Sequence, residues 1–227
     1  MKTNAILTML LVSGSLALAQ QPTVQERVVA LKASLAASQA ILKSYEWVET
    51  TVVSVKGDEK SRKQERCYYG ADGKVQKVLL SQSAPPPRKR GPLRRKIAET
   101  KQEELTDYMK EAVALVKVYM PPEPVLIQQA KDAGKVSLSP QPGQRTRLTF
   151  ADYLKIGDSL TLDVDLASNR PLAAKASSYL NSQKEPVTLD VRFSTLNNNA
   201  TYVARTVLDA KGKNLKVTVE NSGHRIP

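Results

Sequence analysis

Leu160-Thr161-Leu162-Asp163-Val164-Asp165-Leu166 sets an apolar side chain at every second position, and the pattern returns in four later stretches. These are Leu172 to Ser178, Val187 to Ser194, Thr201 to Leu208 and Leu215 to Glu220. A period of two gives a strand one apolar and one wet face, as in Val187, Leu189, Val191 and Phe193 opposite Thr188, Asp190, Arg192 and Ser194. The links between stretches, such as Ala167-Ser168-Asn169-Arg170-Pro171 and Asp209-Ala210-Lys211-Gly212-Lys213, are of hairpin length. A parallel crossover needs a dozen residues or more, so neighbouring strands must run antiparallel.

Upstream the same reading continues. Tyr45 to Val55 is rich in β-branched and aromatic residues and stops at Gly57-Asp58, while Lys63 to Tyr69 and Lys74 to Ser81 flank Gly70-Ala71-Asp72-Gly73. With Arg145 to Phe150, these segments bring the expected total to eight or nine strands. Three helices are predicted. Residues 22–44 space Val24, Val28, Leu31, Leu35 and Leu42 at three and four, and 97–120 does the same with Ile97, Leu105, Tyr108, Met109, Ala112, Leu115, Val116 and Tyr119. Pro121-Pro122 ends the second, and a short third runs from Val125 to Ala133 before Gly134. The apolar face of the sheet must be covered by closure or by these helices. The expected fold is therefore α+β, a strongly curved antiparallel sheet with helices against its concave face; a β-sandwich leaves the helices without an obvious place.

Composition narrows the chemistry. One cysteine, Cys67, excludes a disulfide framework and a Cys-based zinc site. One histidine, His224, lies three residues from the end, where a triad or a two-histidine metal site is a poor prospect, and no cofactor is expected. Asp163 with Asp165, or Asp152 with Asp158, supply paired carboxylates, but the first pair sits on the polar face, where solvated aspartates are the ordinary outcome. No phosphate loop, nucleophile elbow or metal spacing is present, and the expectation is a non-catalytic protein.

Residues 1–19 have the form of an export signal: Lys2, an apolar run from Ala5 to Val12, and Ala17 and Ala19 before Gln20. The run is shorter than the roughly 20 residues that span a bilayer. Cleavage after Ala19 leaves residues 20–227 as one basic, exported domain, a monomer by default, with 34 Lys plus Arg against 22 Asp plus Glu in the whole chain. Within it, residues 82–96 form a Pro-rich basic loop and 97–133 a helical insertion. Arg88, Lys89, Arg90, Arg94, Arg95 and Lys96 are candidates for contact with an anionic envelope surface or a protein partner. Export and the lack of interleaved aromatics argue against nucleic acid.

The order of signal peptide, amphipathic helix, Tyr45-Glu46-Trp47 strand entry, hairpin, helical insertion and meander resembles the periplasmic outer-membrane lipoprotein-sorting carriers, the LolA and LolB-like superfamily. The resemblance covers most of the chain after residue 19. It implies a half-open β-barrel whose helices form a lid over an apolar cavity that shields acyl chains, so a lipid or acylated lipoprotein is the implied cargo. The cleft residues expected on this reading are Trp47, Leu162, Val164, Val191, Phe193 and Val217 from the sheet and Leu105, Met109, Leu126 and Ile127 from the lid. Periodicity marks faces that avoid water and does not distinguish a dry core from a cavity, so both readings stand at this point. The run from Leu148 to Leu160 and the polybasic loop lie outside the family pattern.

Overall fold

The antiparallel meander forms as the alternation requires, and it is longer than expected. A computed structural model describes residues 24–83 and 92–227. The strands are β1 (Glu46–Val55), β2 (Asp58–Tyr69), β3 (Val75–Ser83), β4 (Val136–Gln141), β5 (Arg145–Ala151), β6 (Ser159–Asp165), β7 (Arg170–Tyr179), β8 (Pro186–Thr195), β9 (Thr201–Ala210) and β10 (Leu215–Arg225). The helices are α1 (Val24–Leu42), α2 (Pro92–Lys117) and α3 (Pro124–Asp132). All ten strands share one sheet in the order β3-β2-β1-β10-β9-β8-β7-β6-β5-β4, antiparallel at every step and open at β3 and β4.

Three boundaries differ from expectation, each for a local reason. Strand β4, Val-Ser-Leu-Ser-Pro-Gln, has no counterpart in the sequence reading; it carries Pro140, whose missing N–H removes no ladder bond at the sheet's edge. Strand β2 begins at Asp58 because Lys56 and Gly57, at φ 55° and 87°, make the two-residue primed turn that lets β1 fold straight back. Helix α2 begins at Pro92, five residues before the expected Ile97, since proline's fixed φ and absent N–H suit the first helical position. The basic loop is thereby shortened. The export segment 1–19 and Arg88, Lys89 and Arg90 lie outside the described residues, as do the side chains of Arg94 and Arg95; Lys96 is exposed on α2.

The core lies where α2 and α3 cover the meander. Tyr108, Ala112, Val116 and Tyr119 from α2 and the turn after it, and Ile127 and Ala130 from α3, are buried with Leu148, Phe150, Leu160, Leu162, Val164, Val187, Leu189 and Val191 from β5, β6 and β8. At about 1.5 Å per residue α2 is about 39 Å long, against about 43 Å for ten flat strands at a ~4.8 Å spacing, so the insertion carries the chain from one edge of the sheet to the other.

The run from Leu148 to Leu160 fastens this insertion. Beyond α2, the buried Tyr119 hydroxyl donates to Asp158 Oδ2 at 2.5 Å and shares a 2.8 Å hydrogen bond with Ser178 Oγ on β7. The backbone N–H groups of Leu154 and Lys155 also donate to the Asp158 carboxylate, and the Glu123 N–H donates to Tyr153 at 2.8 Å. Burial and the hydrogen bond to Asp158 push the Tyr119 phenol well above its ordinary range, which keeps it a donor. Asp152 is likewise engaged, with Gly157 N at 2.6 Å and Lys135 Nζ at 3.1 Å. Replacing Tyr119 with Phe leaves the buried Asp158 carboxylate short of a donor, so Tyr119→Phe should lower unfolding free energy by about 1–3 kcal/mol. Urea unfolding checks this: the midpoint should fall with an unchanged slope, and an unmoved midpoint would remove Asp158 from the account of the clasp.

Candidate functional site

Away from the core under α2 and α3, towards the β1–β3 end of the sheet, lies a cleft of about 460 Å³, walled by Leu35, Gln39 and Leu42 of α1 and floored by β1, β2, β3, β8, β9 and β10. Helix α1 buries a narrow stripe, Leu31 and Ser38 with Leu35 and Leu42 half-buried between and beyond them. Its Ser38 Oγ accepts from the Thr201 N–H at 3.0 Å and donates to Ser34 O at 2.9 Å, fixing the helix against β9. The helix therefore leans on the middle of the sheet, and the β1–β3 end is left uncovered.

The floor is aromatic. On β1, odd-numbered residues face the helices, which brings Trp47 and Glu49 into the cleft beside Tyr69 of β2 and Val75 and Lys77 of β3. On β10 the alternation carries Asn221 inward opposite Glu49, and one more regular step would aim His224 outward. A β-bulge intervenes: Ser222 pairs with Val48, yet Arg225 rather than His224 pairs with Glu46, and Gly223 sits at φ 65°. The extra residue turns His224 into the cleft, where its ring stacks on Trp47 at 5.7 Å and 10° and meets Tyr202 at 4.1 Å. Trp47 also meets Tyr69 at 5.7 Å and donates from Nε1 to Asn221 Oδ1 at 3.1 Å, while Asn221 Nδ2 donates to Val203 O at 2.9 Å. Phe193 of β8 and Val203 of β9 complete the apolar wall.

Polar groups sit at defined places in this lining. Lys77 Nζ and Glu49 Oε1 are paired at 2.5 Å. Burial alone would lower the Lys77 ammonium, but the hydrogen bond and charge of Glu49 outweigh it and raise it. Burial lowers the His224 imidazole below its ordinary value, so the ring is held neutral at physiological pH. Thr201 stands beside the cleft, its hydroxyl buried beneath the lining and without a hydrogen-bond partner.

Of the ten residues expected to form the cleft, Trp47 and Phe193 line it. Ile127, Leu162, Val164 and Val191 are buried in the packed core, and Leu105, Met109, Leu126 and Val217 are half-buried against that core. The structure does not bring these eight to the open space, because the helices expected as a lid close tightly on β5–β8. The remaining candidate carboxylates are spoken for by structure. Asp163 takes a two-pronged bond from Arg147 at 2.7 and 2.8 Å, and Asp165 accepts from Ala167 N and Ser168 Oγ. Cys67 is fully buried, and burial pushes its thiol up, away from reactivity. Among the described residues no group of three His, Cys, Asp or Glu side chains is placed to hold a metal ion.

No protein-family model matches the chain, and no curated protein matches it in sequence. In the course of its backbone it is similar to solved structures of a LolA superfamily protein from Nitrosomonas europaea (11% identity, TM-score 0.36) and a DUF1329 family protein from Desulfovibrio piger (12%, 0.37), each match covering 87% of this chain and 93% of the other. It is also similar to an outer membrane lipoprotein-sorting protein domain from Vibrio parahaemolyticus (10% identity, TM-score 0.34), over 88% of this chain and 92% of that one. What the cleft can accept depends on its own residues.

His224 supplies a pH-dependent signature. The unfolded chain binds its proton near pH 6.5 and the folded chain only at a lower pH, so between the two values the unfolded state holds more protons. Stability tied to this residue is present above pH 6.5 and is lost as the pH falls through that window. Going from pH 7.5 to 5, the wild type should lose more unfolding free energy than His224→Phe. Emission of the single tryptophan, Trp47, should be quenched with a midpoint below 6.5, and a midpoint at or above 6.5 would contradict the buried, neutral ring.

Proposed function

We propose that the protein is an exported, non-catalytic binding protein that shelters one acyl chain, of a lipid or an acylated polypeptide, in the cleft between α1 and the β1–β3 end of the sheet. The observation that supports this most is the lining itself. Trp47, Tyr69, Phe193, Tyr202, Leu35 and Leu42 surround about 460 Å³ of open space, within the range of ordinary small-ligand sites and large enough for about 15 waters at ~30 Å³ each. Each methylene taken from water into such a lining contributes about 0.8 kcal/mol, so six supply about 5 kcal/mol before the cost of association. The volume favours a single chain over a multiply acylated anchor. On this reading the activity belongs to the periplasm, the destination of a chain exported through residues 1–19.

The test is titration of the mature chain with a single-chain lysophospholipid below its micelle concentration, followed by Trp47 emission and native mass spectrometry. The expected result is a blue shift that saturates at one ligand per chain. Phe193→Glu, at a half-buried wall position that also packs against the core, should lower the unfolding midpoint and, measured on the still-folded variant, weaken binding at least tenfold. If Trp47 does not respond and no adduct survives, the cleft does not hold an acyl chain.

A further inference from the structure

The chain's single histidine, the side chain type that titrates closest to neutrality, stands in the cleft lining. The β-bulge at Gly223 puts it there: the ring stacks on Trp47 and lies against Tyr202, where regular alternation would have sent it to the opposite face. Among the described residues His224 has these ring contacts and neither a hydrogen bond nor an ion pair. Its ionisable neighbours are few. β1 supplies Glu49 and β3 supplies Lys77, which close on each other at 2.5 Å, while β2 and β9 supply the phenols of Tyr69 and Tyr202. From α1 come Leu35, Gln39 and Leu42, and from β8 Phe193, none of them ionisable. On β10 itself, Arg225 is held by Glu46 at 2.6 Å.

A neutral imidazole offers a ligand the same kind of aromatic surface as its neighbours, whereas an imidazolium is a charge that needs water or a counter-ion. In the open cleft the half-buried ring keeps part of its surface in solvent. A chain laid across Trp47 and His224 would remove that water, and the one carboxylate in the lining, Glu49, already holds Lys77. Drawing Glu49 away from Lys77 would exchange one unpaired cation for another. Resting on the acyl-chain reading, we propose that His224 is the release switch of the cleft: the chain binds while the imidazole is neutral and is let go when the ring takes a proton. The sign follows from linkage. Covering the ring disfavours its charged form, so the complex takes the proton at a lower pH than the free protein does, and affinity falls as the pH drops through the free protein's value. Burial already holds the free ring below its ordinary 6.5, which puts the fall on the acid side of that value.

The experiment uses the untagged mature chain and a short-chain lysophosphatidylcholine below its micelle concentration, a ligand whose phosphate and quaternary ammonium keep their charges from pH 7.5 to 5. Because His224 is the only histidine, its imidazole gives a single set of NMR signals to follow. Saturating ligand should lower the midpoint of that titration by about 1 on the pH scale, and calorimetry should show the dissociation constant rising by about threefold or more from pH 7.5 to 5. In His224→Phe and His224→Gln, which cannot take a proton at this place, the same pH change should alter affinity by less than about 1.5-fold. The two variants differ in polarity, so poor folding of one leaves the other to decide. Equal affinity at both pH values in the wild type, or a midpoint that ligand does not move, overturns the switch and leaves the acyl-chain reading standing. A pH dependence that persists in both variants also overturns it, and moves the effect to the Glu49–Lys77 pair. No binding at either pH overturns the acyl-chain reading and the switch together.

Discussion

The ladder between β1 and β10 is the constraint on which the rest depends. Nine residue pairs, from Glu46 with Arg225 to Val55 with Leu215, join the first strand to the last and make one sheet of an N-terminal three-stranded unit and a C-terminal seven-stranded meander. At its end the buried Glu46 carboxylate takes Arg225 at 2.6–2.7 Å and Arg66 at 3.3 Å. A carboxylate so placed is costly unless paired, and its pairing requires both neighbouring strands in register. One residue further along β1, on the opposite face, Trp47 reaches Asn221. The seam that unites the sheet is therefore also the floor of the cleft.

From this seam the molecule divides by how helices cover it. The long α2 and α3 are drawn down on β5 to β8 by a continuous apolar stripe and fastened by the Tyr119–Asp158–Ser178 network, so that side is packed. Helix α1 contributes a thinner stripe in which Ser38 stands where an apolar residue would pack, and its hydrogen bond to the Thr201 N–H holds the helix over β9. One helix cannot cover the remaining width of a ten-stranded sheet. The aromatic residues of β1 and β2 then line a cleft because no described element is long enough to cover them.

This division explains what is legible in the sequence. Alternation from Leu160 to Val219 yields the strands, their antiparallel sense and their buried faces, because a period of two is preserved wherever a ladder is regular. It sets Leu162, Val164 and Val191 on the concave face correctly, yet a face is shared by core and cleft alike. Which of the two a residue joins depends on helix placement, a tertiary fact absent from local pattern. His224 reads as part of a tail because alternation breaks at Gly223, and the break is itself the bulge that aims the ring inward. Tyr69 and Asn221 carry no periodic signal strong enough to mark them.

The electrostatics of the cleft and its margin fit one another. Inside, Glu49 and Lys77 are matched at 2.5 Å and burial holds His224 uncharged, so the floor presents aromatic surface with no net charge to desolvate. Such a floor stabilises a methylene chain and gives little to an anion. Along the neighbouring strands, the carboxylates that alternate with cations on β2 give way on β3 to Lys77 without an acid.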